Sequence, residues 1–162
     1  MDFFDRELLI EQEVDGARIV HHAYITSPSG SGPLFVTHHG AGSCGLSFAA
    51  CAAEIRKILP SAGILSIDAR NHGLTSVSKK GGSGSNIDNA TTPMNLNLET
   101  LSRDLVYVVN RTKVDMNWDS IPPLVLVGHS LGGAVVTDVA KRGELGSDIL
   151  AYAVLDVVEG MD

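Results

Sequence analysis

Cysteine is scarce in this sequence. Cys44 and Cys51 are its two thiols, too few for a disulfide framework and, seven residues apart, without the spacing of metal ligands. Basic residues are outnumbered as well, 12 Lys and Arg against 19 Asp and Glu, for a formal charge of −7. That balance excludes a sequence-independent nucleic-acid binder, which needs a basic face to neutralise phosphates. It equally excludes a polybasic membrane anchor. No apolar run approaches the ~20 residues that span a bilayer. The opening Met1-Asp2-Phe3-Phe4-Asp5-Arg6-Glu7 carries acids where a secretory leader needs bases and then an apolar stretch. Two glycosylation sequons, Asn89-Ala90-Thr91 and Asn110-Arg111-Thr112, are therefore read as chance matches. These absences together describe a soluble intracellular protein.

What is present suits a folded unit. The chain has 162 residues, 44% of them hydrophobic and 19% charged, enough to bury a core and short enough for one domain or part of a larger one. Residues 6–12 and 17–25 are strand-like and flank Asp15-Gly16, a dipeptide favoured in tight hairpins. After a Ser, Gly and Pro-rich link, residues 34–39 read as a buried strand running into the glycine-rich turn 40–45. Phe48, Cys51, Ala52, Ile55, Ile58 and Leu59 then recur at helical spacing up to Pro60, with Cys51 in the core. Residues 63–68 form another apolar strand. Residues 78–97, rich in Gly, Ser and Asn, read as a mobile surface loop. Leu98, Leu101, Leu105, Val108 and Val109 mark an amphipathic helix. Residues 124–127 are a strand that enters Gly128-His129-Ser130-Leu131-Gly132-Gly133, residues 134–141 a helix, and residues 151–156 a last apolar strand. Strands alternating with helices after an initial hairpin predict an α/β fold, a single domain over 1–162 with a mostly parallel sheet of six strands.

Gly128-His129-Ser130-Leu131-Gly132 matches the G-x-S-x-G nucleophile elbow in its strand-turn-helix context. Glycines remove the side chains that would collide in so tight a turn, and the Ser130 hydroxyl is presented above the sheet. The following helix aims its amide dipole at that spot, and Leu131 supplies one oxyanion N–H. Residues 40–45 have two readings. One is the dinucleotide pattern G-x-G-x-x-G, with Asp68 ending the next strand. The other is the turn His39-Gly40-Ala41-Gly42, which lends a second oxyanion N–H, from Ala41, in serine hydrolases. The preceding hairpin, the histidines at the strand end and the downstream elbow favour the second. Asp156 ends the strand after the elbow helix; position alone leaves it an orienting acid or a loop carboxylate. Asp68 orders the loop around itself. A general base comes last in chain order in such folds, yet no histidine follows Asp156. His38 and His39 shape the oxyanion turn.

With these residues in place the chain resembles the protein phosphatase methylesterase family of the α/β-hydrolase superfamily. The resemblance rests on residues 38–43, 65–73 and 128–134, and most specifically on Leu155-Asp156-Val157-Val158-Glu159-Gly160. It implies Ser130 as nucleophile, Asp156 as acid, and the methyl ester on the C-terminal leucine of the protein phosphatase 2A catalytic subunit as substrate, with no cofactor or metal. It also implies tight binding of that phosphatase. The family's catalytic histidine lies downstream of this pattern. The chain is thus expected to be the N-terminal part of the fold, ending on an unpaired apolar strand and catalytically dead or nearly so. A non-catalytic phosphatase-binding chain and a general small-ester hydrolase are the alternatives.

Overall fold

The computed structural model describes residues 3–79 and 95–157. The chain opens with strands β1 (Arg6–Val14) and β2 (Ala17–Thr26), paired antiparallel across Asp15 and Gly16. Both turn residues have positive φ, 51° and 72°, which matches the twist of the flanking strands. Along β1 the side chains alternate, Leu8 and Ile10 inward and Glu7, Glu11 and Glu13 outward.

Four parallel strands follow: β3 (Leu34–His38), β4 (Gly63–Ile67), β6 (Leu124–His129) and β7 (Ile149–Leu155). The order across the sheet is β1-β2-β4-β3-β6-β7. A seventh strand, β5 (Ser76–Lys79), pairs antiparallel with the first half of β2, while β4 takes the second half. The sequence reading had six strands and placed residues 78 and 79 in a loop. The short β5, SVSK, is mostly polar and lacks an apolar run, and β2 holds it through the backbone ladder and a bond from the Ser78 hydroxyl to the Arg18 carbonyl. Residues 80–94 of that expected loop lie outside the described residues, as do Val158, Glu159 and Gly160.

Helix α2 (Leu98–Asp115) starts on an Asn97 cap whose side chain accepts the Thr100 N–H at 2.8 Å. Its Leu101, Leu105, Val108 and Val109 join β1, β2, β3, β4 and β6 and helix α3 (Leu131–Arg142) in one core. Ala23 and Ile25 of β2 belong to that core. Tyr24 points to the other face, where the 3₁₀ turn Gly45–Phe48 and helix α1 (Ala49–Ile58) lie, and a Cβ on Gly45 would come within 3.1 Å of its ring. The helical stripe expected on α1 is only partly used. Phe48, Ala49 and Ala52 are buried, but Cys51 is half-buried and Ile58 is 84% exposed. The helix buries its small residues Ala49 and Ala52 and leaves the Ile58 side chain near its far end open. Strand β7 has the same character: it pairs with β6 alone, and Leu150, Tyr152, Val154 and Leu155 are exposed.

Candidate active site

The carboxyl ends of β3, β4, β6 and β7 meet at one edge, the place where open α/β sheets put their sites. Strand β6 ends at His129, and Ser130 sits at φ 53°, ψ −121° before α3 begins. That conformation is costly for a residue with a side chain and persists only when its surroundings hold it. Here they are backbone. The Ser130 N–H donates to the Leu155 carbonyl at 3.0 Å, and the Ser130 carbonyl accepts the Gly133 N–H at 2.8 Å. A Cβ on Gly128 would collide with the Gly132 carbonyl, and one on Gly132 with the His38 carbonyl. Glycine at both positions therefore lets α3 start directly against the ends of β6 and β3. Gly133 leaves room for Val157 to cross the first turn of the helix.

The turn after β3 lies beside the serine. A Cβ on Gly40 would stand 3.0 Å from the Ser130 Cβ. The turn closes with a Ser43 N–H bond to the Gly40 carbonyl at 3.2 Å and takes Gly42 through φ 74°. Ala41 and Leu131 thus flank an exposed serine, and Leu131 is at the start of a helix, where N–H groups lack intrahelical partners. Asp156 follows directly on the Leu155 carbonyl that holds Ser130, exposed and at φ 51°.

Five of the six histidines are committed elsewhere. His21 pairs with Gln12 Oε1 at 2.7 Å, and His22 is buried between Asp68 at 2.9 Å and Glu7 at 2.8 Å. His38 donates from Nδ1 to the His39 carbonyl. His39 donates from Nδ1 to the Gly40 carbonyl at 2.7 Å and accepts the Ala69 N–H on Nε2 at 2.9 Å. His72 accepts the Gly42 N–H. No ring nitrogen bonds Ser130 among the described residues. Asp68 is fully buried; its carboxylate accepts Gly45 N–H at 2.7 Å, Leu74 N–H at 2.9 Å and His22. A carboxylate so enclosed has no face left for a ribose, which disfavours the dinucleotide reading.

Burial lowers the pKa of His38 to about 4, opposed by its bond to the His39 carbonyl; burial lowers His39 also. The folded chain therefore prefers neutral His38, whereas the unfolded chain protonates it near pH 6.5. Its contribution to stability is complete above about pH 6.5 and is lost as pH falls toward 4, on the order of 3 kcal/mol for that one ring. Urea denaturation at pH 7 and pH 4.5 checks this: His38→Gln is expected to lose markedly less stability between the two than the parent chain.

A family model described as "Alpha/beta hydrolase family" matches residues 34–160. "Protein phosphatase methylesterase 1" of Aspergillus fumigatus is 64% identical over 159 residues, covering 98% of this chain and 36% of that protein. The protein of the same name from Aspergillus oryzae is 65% identical over the same length and shares. The chain thus spans about 36% of the length of these curated relatives. Among solved structures, a hydrolase from Pseudomonas aeruginosa superposes with a TM-score of 0.62 at 19% identity, over 95% of this chain and 48% of that one. It shares the fold.

Proposed function

The chain belongs to the alpha/beta hydrolase family, and from that premise we propose that it carries the nucleophile half of a serine carboxylic ester hydrolase. Its substrate is the methyl ester on the C-terminal leucine of the protein phosphatase 2A catalytic subunit, inside the cell. One observation carries the reading: Ser130, strained at φ 53°, is exposed between Gly40 of the oxyanion turn and the N-terminus of α3. The names of the Aspergillus relatives supply the substrate class.

The mechanism follows from the placement. Ser130 Oγ attacks the ester carbonyl, and its proton goes to a histidine that must come from beyond these 162 residues, since the six present lie at or before His129. The carbonyl oxygen becomes an oxyanion held by the N–H groups of Ala41 and Leu131; losing one such donor typically costs about 10²–10³ in rate. Asp156 orients the histidine and stabilises its charged form. Methanol leaves, water attacks the acyl-serine, and the free carboxylate departs. No metal or organic cofactor enters any step.

The substrate assignment is tested on the chain joined to the downstream part of a relative. A methyl-esterified peptide ending in leucine is expected to be hydrolysed with kcat/KM at least tenfold above p-nitrophenyl acetate. Equal values would make this a general small-ester hydrolase. Retention of the phosphatase by the joined protein without hydrolysis would favour a binding protein instead.

A further inference from the structure

Two loops cross behind Ser130, and each grips the other through an imidazole. His39 ends β3 and His72 lies in the loop after β4. Each donates from Nδ1 to a carbonyl of its own loop, His39 to Gly40 at 2.7 Å and His72 to Arg70 at 2.9 Å. Each accepts on Nε2 a backbone N–H of the opposite loop, Ala69 on His39 at 2.9 Å and Gly42 on His72 at 3.0 Å. The ring centroids are 5.2 Å apart. The pattern needs both rings neutral, because an imidazolium has no lone pair left to accept an N–H.

Packing does not hold the outer end of the oxyanion turn. Ala41 and Gly42 are exposed, and a Cβ on Gly42 would meet nothing within 4 Å. The Ser43 bond to Gly40 closes the turn from within. The tie from outside is His72. We propose that His72 is a positioning residue: by accepting the Gly42 amide it holds the Ala41 N–H at the place where the oxyanion on Ser130 forms. This rests on the ester-hydrolase reading of Ser130.

Residue-resolved amide exchange on the 162-residue chain tests this without any chemistry at the serine. His72→Ala is expected to speed exchange at Gly42 at least tenfold while amides of β3, β4 and β6 keep their rates. His72→Gln, whose amide oxygen still accepts a hydrogen bond, restores part of the protection. Unchanged exchange at Gly42 in His72→Ala overturns the proposal, and so does faster exchange spread through β3 and β4. A second readout uses phenylboronic acid, which bonds boron to Ser130 Oγ, releases the hydroxyl proton to solvent and leaves a tetrahedral anion in the oxyanion site. His72→Ala is expected to weaken it at least tenfold and His72→Gln less. If Ser130→Ala binds the boronic acid as well as the parent, the ester-hydrolase reading fails, and the Gly42 exchange still decides the role of His72.

Discussion

Joined to the downstream remainder of the Aspergillus fumigatus relative, the 162-residue chain is expected to hydrolyse a methyl-esterified leucine peptide about 10⁴–10⁶ times faster than it does alone. The magnitude follows from how a nucleophile, base and acid act as a unit. Oxyanion donors and binding alone leave about 10³–10⁴ over the uncatalysed reaction, and removing a nucleophile or base from such a unit typically costs about 10⁶. The separate chain keeps the donors proposed at Ala41 and Leu131 and the exposed serine, but no histidine ring bonds Ser130 among the described residues, and five of its six histidines are held by other groups. In the joined protein Ser130→Ala should return the rate to that low level, and deleting the downstream histidine as well should cost nothing more. Single-turnover assays on the three proteins check both statements. Retention of a tenth of the activity by Ser130→Ala would remove Ser130 from the mechanism. A separate chain as fast as the joined one would mean that one of its own histidines is the base.

The second large effect is expected far from the serine, at Asp104. Arg70 reaches it from the loop after β4 with two bonds of 2.7 Å, from Nε and from the terminal nitrogen, and the two side chains are only 10% and 6% exposed. Asp104→Asn leaves the guanidinium charge buried without its counter-charge, and breaking such a pair costs about 3–5 kcal/mol. Domains have a total stability of about 5–15 kcal/mol, so the variant should unfold at a much lower urea concentration than the parent. Replacing both partners, Arg70→Met with Asp104→Leu, should recover most of the loss, because no charge is then stranded. If the single variant costs under about 1 kcal/mol, the pair is solvated in solution. The Arg70 carbonyl also accepts the His72 ring, so the same substitution should loosen Gly42.

The elements most legible from residue pattern were those whose chemistry is local. Asp15-Gly16 announces its hairpin because both positions need positive φ, and the G-x-S-x-G elbow announces itself because no side chain fits at Gly128 or Gly132. Strands β3, β4 and β6 were readable as apolar runs because both their faces are covered, whereas β7 has the same kind of run with its side chains exposed. Strand β5 was not readable, since its pairing uses backbone groups that every residue has. The α1 stripe misled for a related reason: periodicity says which side chains share a face and not whether anything covers that face. His72 is a third case. Its partner is an amide 30 residues away across two loops, and no spacing rule encodes a bond between elements joined only by the fold. Asp68 was read as ordering its loop, and the structure shows the three donors that it gathers from β2, the turn before α1 and its own loop.

The bond between the Ser130 N–H and the Leu155 carbonyl makes the elbow dependent on the order of synthesis. On the ribosome the serine emerges with β6, but the carbonyl that helps hold its strained backbone is added roughly 25 residues later, roughly 1–5 s at usual elongation rates. Until then Ser130 has the bond from the Gly133 N–H within the elbow but lacks the one to β7. The pose of Ser130 is thus completed by a strand made after it, and nascent chains that stop short of β7 carry the serine without that bond.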